Sequence, residues 1–134
     1  MERSAELEQF VSDFYDSLKS GAVDRLDAAV SQEVLGIGTD PDEWWEGETF
    51  TKTWKAQMEA MGGTMPIAPG SLVAYREGNV GWFADRPAFD LPGGQVPFRL
   101  TGVAVKEGDD WKIVQVHASI GIPNAESVGV ELPT

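Results

Sequence analysis

The chain has no cysteine, a single histidine and only ten Lys and Arg residues among 134. Without cysteine there is no disulfide, no thiolate nucleophile and no cysteine-based metal site. With one imidazole and no acidic run of the calcium-loop type, no metal site is expected. The few cations form no cluster, while 22 acidic residues bring the formal net charge to −12. Such a field repels phosphate backbones and anionic lipid, so neither nucleic acid nor a membrane surface is an expected partner. Long hydrophobic runs are missing too: no segment approaches membrane-spanning length, and the opening MERSAELEQF lacks the apolar stretch of a signal peptide. A cytoplasmic location is the expectation. Gly36-Ile37-Gly38 runs into a loop without the rest of a phosphate-cradling motif, and no Ser lies in a GxSxG elbow. Serine hydrolase chemistry is therefore unsupported, and no cofactor is expected.

What remains is apolar and aromatic. Hydrophobic residues make up 42%, with five Trp, six Phe and two Tyr, enough for one core in a single domain over residues 1–134. Leu7, Phe10, Val11, Phe14 and Leu18 fall at helical spacing, and Ser20-Gly21 can end that helix. A short second helix is expected from Val23 to Val30, then a strand at Val34 to Gly38. Turn residues make 39–47 a loop, although it holds Trp44 and Trp45. A third helix carries Phe50, Trp54, Met58 and Met61 on one face and stops at Gly62-Gly63. Strands follow: Leu72 to Glu77, Val80 to Asp85, Val96 to Lys106 and Trp111 to Ile120, with Gly78-Asn79 marking a hairpin. Helices followed by an antiparallel meander predict an α+β fold, the helices covering one face of a curved sheet. Residues 121–134 read as a loosely packed tail.

Alternation in the last two strands sorts side chains by face. Strict alternation puts Trp111, Ile113, Gln115, His117 and Ser119 together, and Arg99, Thr101, Val103 and Val105 together. If these are the concave faces, a cavity has an apolar floor and a polar end at Arg99, Thr101, Gln115, His117 and Ser119, as small-molecule sites do. Two plainer alternatives are a solvated sheet face and an interface with a second copy of the chain.

Three stretches carry a resemblance: Gly38-Thr39-Asp40-Pro41-Asp42-Glu43-Trp44-Trp45-Glu46-Gly47, Arg76 through Asp85, and Trp111 through Ser119 with its His-x-Ser ending. Together they resemble the nuclear transport factor 2-like superfamily in its SnoaL-like branch, over nearly the whole chain. The resemblance implies a cone-shaped half-barrel with helices closing its wide side over a cavity, and a homodimer formed through the outer sheet face. The superfamily contains polyketide cyclases, ketosteroid isomerase, dehydratases, transport adaptors and oligomerising modules, so the fold does not select an activity. Its enzymes generally place a carboxylate or an Asp–His pair inside the cone.

On that basis His117 is the candidate proton carrier, with Asp40 or Asp85 as base or orienting carboxylate. Arg99, with Thr101 or Ser119, would stabilise developing negative charge, and Gln115 would contact the ligand. Trp44, Trp45, Trp54, Tyr75 and Trp82 would supply an aromatic wall. Each has a structural alternative: His117 bonded to Ser119 or Thr101, Asp40 opening a turn before Pro41, Asp85 capping a turn, Trp54 packed in the core. The expected ligand is a mostly apolar small molecule bearing a carbonyl or carboxylate. The chemistry would be cofactor-free isomerisation, cyclisation or dehydration; the competing expectation is a non-catalytic oligomerisation or ligand-sensing module.

Overall fold

In the computed structural model, which describes residues 1–134, the first apolar stripe forms helix α1 (Ala5–Ser20), preceded by a two-residue strand β1 (Glu2–Arg3). The Ser4 hydroxyl accepts from the Leu7 amide at 3.1 Å, satisfying one of the donors a helix start leaves free. Gly21, at φ 70°, ends the helix in the left-handed conformation open to glycine. Leu7, Val11, Phe14 and Leu18 are buried as the stripe requires. Then come α2 (Val23–Ala29), β2 (Val30–Ile37), β3 (Trp44–Glu46) and α3 (Glu48–Ala60). The second helix ends a residue early because Val30 opens β2, which is longer than expected. Within the expected loop, Trp44–Glu46 pairs antiparallel with Leu35–Ile37.

The C-terminal half is strand-rich: β4 (Ile67–Ala68), β5 (Val73–Glu77), β6 (Val80–Asp85), β7 (Ala88–Leu91), β8 (Gly94–Pro97), β9 (Arg99–Glu107), β10 (Asp110–Ser119), then a short α4 (Asn124–Ser127). Where one strand was expected from Val96 to Lys106, the chain breaks at Phe98, whose amide donates to the Pro87 carbonyl at 3.0 Å. The break divides the strands between two sheets. One has seven strands in the order β1-β5-β6-β9-β10-β2-β3, and a small one has the order β4-β7-β8. Only β10 and β2 run parallel; the other neighbours are antiparallel, giving the α+β architecture expected.

Helices α1 and α3 pack on the concave face of the large sheet, and two close approaches seat aromatic rings there. Val116 on β10 lies between Gly36 on β2 and Gly102 on β9. A Cβ on Gly36 would stand 2.1 Å from the Phe50 ring, and one on Gly102 2.3 Å from the Phe83 ring. The missing side chains are thus the space the rings occupy, which draws α3 onto β2.

The decisive departure from strict alternation is a β-bulge in β10. Ile113 pairs with Ala104 and Gln115 with Val103, leaving Val114 without a partner on β9. The pairing of β10 with β2 shifts at the same place. An extra residue reverses the parity of everything beyond it. Trp111 and Ile113 therefore point to the core, and so do Val116 and Ala118, while Gln115, His117 and Ser119 turn outward. This corrects the expectation that Trp111, Ile113, Gln115, His117 and Ser119 share a face.

The bulge gives a direct test. Deleting Val114 would place Gln115 directly after Ile113 in the pairing already present, so regular alternation would keep Val116 and Ala118 in the core; we expect the cooperative unfolding transition in urea to persist. Val114→Ala, which keeps the residue count, should cost only about 1 kcal/mol. A deletion variant that loses its cooperative transition would refute the parity assignment.

Candidate functional site

Between the helices and the concave sheet lies a cavity of about 430 Å³. Its floor is Leu100 on β9 with Val116 and Ala118 on β10. Phe14 and Leu18 of α1 and Phe50 and Trp54 of α3 form the walls, and Ile67, Phe89 and Leu91 of the small sheet close one end with Phe98. The rings form a connected set: Phe14 stacks on Trp54 at 5.5 Å between centroids, Trp54 meets Phe50 at 5.4 Å, and Phe89 stacks on Phe98 at 4.4 Å. Trp45 continues the series, 6.2 Å from Phe50.

Sixteen of the twenty lining residues are hydrophobic; the others are Gly38, Thr39, Glu43 and Gln57. Glu43 is the only ionisable side chain among them. The loop from β2 to β3 fixes it: the Gly38 amide donates to the Glu43 carbonyl at 2.9 Å, and the Asp40 amide donates to Glu43 Oε1 at 2.8 Å. From α3, Gln57 Nε2 donates to Glu43 Oε2 at 2.6 Å. Glu43 and Gln57 were not singled out from the sequence. The signals were present: Glu43 precedes Trp45 by two residues in an extended segment, and Gln57 follows Trp54 by one helical turn, so each shares a face with a cavity aromatic.

The expected site residues do not converge. Arg99 and Thr101 are exposed on the outer face, opposite Ser119 and His117 on β10. Arg99 Nε donates to the Ser119 hydroxyl at 3.1 Å, so the polar group expected in the cavity forms a surface pair outside it. His117 is exposed there, and Gln115 lies half-buried on the same face. Tyr75 and Trp82 stack at 4.9 Å on this outer face, and Trp44, 63% exposed, lies opposite Ile37 at its edge. Of the expected aromatic wall, Trp45 and Trp54 line the cavity. Asp40 is exposed and accepts from the Asp42 amide at 3.0 Å, as a turn opener before proline does.

Asp85 is inside the protein, 5% exposed, but it does not line the cavity. Its carboxylate accepts from the Tyr15 hydroxyl at 2.9 Å, the Gly70 amide at 3.3 Å and the Arg86 amide at 2.7 Å. These bonds join α1, the end of β6 and the loop before β5, and they account for a buried carboxylate without chemistry. Burial, and after it the Asp85 charge, raises the Tyr15 pKa above its ordinary value.

Several solved structures share this architecture. A nuclear transport factor 2-like protein of Pseudomonas putida matches over 86% of this chain and 84% of its own, at 15% identity and TM-score 0.77. A protein with a cystatin-like fold from Caulobacter vibrioides matches over 91% and 92%, at 14% identity and TM-score 0.73. A putative calcium/calmodulin-dependent protein kinase type II association domain from Thiobacillus denitrificans matches over 84% and 93%, at 18% identity and TM-score 0.71. The chain thus has the nuclear transport factor 2-like, cystatin-like fold. Residues 7–123 match the model of the SnoaL-like domain, and the chain belongs to that family. No curated protein matches it in sequence. None of its helices is long and apolar enough to cross a membrane.

The Tyr15–Asp85 pair predicts a pH dependence. The Tyr15 pKa is raised on folding, so its stabilising effect is complete below the unfolded value of about 10 and is lost as pH rises beyond it. Urea unfolding across that range should give a steeper decline for wild type than for Tyr15→Phe. Asp85→Ala should cost about 2–3 kcal/mol at neutral pH by leaving a buried phenol unpaired. Identical pH slopes for wild type and Tyr15→Phe would contradict the assignment.

Proposed function

We propose that this chain is a small-molecule-binding domain whose mostly apolar ligand occupies the cavity between helices and sheet. The observation that carries the reading is the cavity itself, about 430 Å³ and lined by aromatic and aliphatic side chains. Protein interiors are packed to crystal-like density, and a large apolar void costs stability unless something fills it. Its size and its few polar groups at one place fit the usual proportions of a ligand site.

Turnover has less support than binding. Acid–base chemistry on a carbon acid needs a proton carrier and a group that stabilises the resulting negative charge. The cavity offers Glu43 without a neighbouring cation or imidazole, because Arg99 and His117 face outward. The expected carbonyl or carboxylate on the ligand rested on those two residues, and their outward placement removes its support.

A second reading concerns the outer face, for which we propose pairing with a second copy of the chain. Tyr75, Trp82, Val103, Thr101, Gln115 and His117 make its centre free of carboxylates in a protein with 22 acidic residues. Two copies at −12 each can meet there with little charge opposition. Trp82→Asp would add two opposing carboxylates across such a dimer. We expect light scattering after gel filtration to give a dimer mass for wild type and a monomer mass for the variant; a monomeric wild type would remove this reading.

The binding reading is tested with phenylbutanol as probe, followed by the fluorescence of Trp45 and Trp54. Saturable binding is expected, with about tenfold weakening in Ala118→Phe, whose ring would fill the floor. His117→Ala should bind as wild type does. Equal binding to wild type and Ala118→Phe would refute the assignment of the cavity.

A further inference from the structure

The polar end of the cavity holds one carboxylate and no cation, and this narrows the ligand. We infer that the site selects an apolar molecule ending in a protonated amine, held by Glu43, over the same molecule ending in a carboxylate. The inference rests on the proposed cavity and deepens it.

Three polar side chains reach the cavity: Thr39, Glu43 and Gln57. A carboxylate accepts only, with about four lone-pair positions on its two oxygens. The Asp40 amide takes one position on Oε1 and Gln57 Nε2 takes one on Oε2, so acceptor capacity remains on both. Because the Gln57 amide nitrogen donates to Glu43, its carbonyl oxygen is left as a further acceptor. The Thr39 hydroxyl can accept as well. A ligand whose polar end carries several N–H donors matches this arrangement; one with a carboxylate meets the like charge of Glu43 and no cation, with only the Thr39 hydroxyl and the second Gln57 N–H as side-chain donors.

The electrostatics point the same way. Glu43 is the only charged side chain lining the cavity, and the surrounding apolar walls weaken the dielectric screening between it and a ligand charge. The loop geometry keeps the carboxylate in place, since Glu43 is bonded to its own loop at one oxygen and to α3 at the other. No rearrangement is needed before an ammonium group approaches, so little ordering cost is added on binding. Trp45, two residues from Glu43, and Trp54, one helical turn from Gln57, line the same cavity, and such rings can face a cation as well as an apolar chain.

The test uses three probes with one body: phenylbutylamine, phenylbutanol and phenylbutyrate, titrated calorimetrically at physiological ionic strength. The amine should bind about tenfold more tightly than the alcohol, since both donate to the Glu43 carboxylate but only the amine sets a full opposite charge against it between poorly screening walls. The carboxylate should bind most weakly. Glu43→Gln should bring amine and alcohol to similar affinities, the amine losing more than the alcohol. Gln57→Lys, which keeps a donor toward Glu43 and cancels its charge, should also remove the amine preference and strengthen the carboxylate. This second variant does not depend on Glu43→Gln folding.

Carboxylate binding equal to or tighter than that of the amine would overturn the inference while leaving the cavity reading intact, provided Ala118→Phe still blocks the alcohol. An amine preference that survives both variants would also overturn it, because the field of the whole acidic surface would then be responsible. Failure of all three probes to bind would remove the cavity reading and this inference together.

Discussion

The architecture turns on one extra residue in β10. Val114 has no partner on β9, and the strand's side chains exchange faces there. Before the bulge, Trp111 and Ile113 fill the core beneath α1; after it, Val116 and Ala118 continue the same apolar surface as the cavity floor. Both neighbours accommodate the change, since the register of β10 shifts against β2 as well as β9. Just beyond it Val116 lies between Gly36 and Gly102, where the rings of Phe50 and Phe83 lie against the sheet. Bulge, glycines and rings act as one unit. Were Val114 paired in strict alternation and not bulged, the floor would be Gln115, His117 and Ser119, and an apolar cavity would not form.

The closed end of the fold depends on a different kind of interaction. Asp85 ends β6 inside the protein, where an unpaired carboxylate would be costly. Its three donors come from α1, from the backbone of the next residue and from the loop before β5. One carboxylate thus holds a helix, a strand end and a loop in fixed relation. Such a group resembles an active-site acid in sequence, being an aspartate at a strand end beside candidate polar residues. In three dimensions it accepts three structural hydrogen bonds and does not line the cavity.

Much of the fold was legible because it follows from local pattern. The stripe from Leu7 to Leu18, the Gly78-Asn79 hairpin and the order of helices and strands all rest on spacing and turn chemistry, and the α+β prediction follows from them. Two shorter features were hidden. The strand at Trp44–Glu46 is too brief for periodicity to reveal, and it forms because β2 offers it an edge. The division at Phe98 depends on a contact with Pro87 that no local pattern encodes. The site was far less legible, and for one reason: face assignment by strict alternation counts residues, whereas a bulge changes the count without changing the composition. Ile113-Val114-Gln115 contains no glycine or proline to mark it. Arg99, Thr101, Gln115, His117 and Ser119 do lie together as expected, but on the other side of the sheet.

That reversal changes which chemistry the cavity can support. A site with Arg99 and His117 inside would favour anionic ligands and could stabilise negative charge as it develops. The cavity as built has Glu43, Gln57 and Thr39 at its polar end, so it presents acceptors and one negative charge. A developing oxyanion would find no stabilising cation there, whereas an ammonium group would find the Glu43 carboxylate. The outer face receives the opposite allotment, with Arg99 and His117 displayed on a region free of carboxylates at its centre. The bulge that keeps His117 out of the interior places it on the exterior beside Arg99, where the proposed pairing would meet little negative charge. The proposed ligand preference inside and the proposed pairing outside both draw on this one change in strand parity.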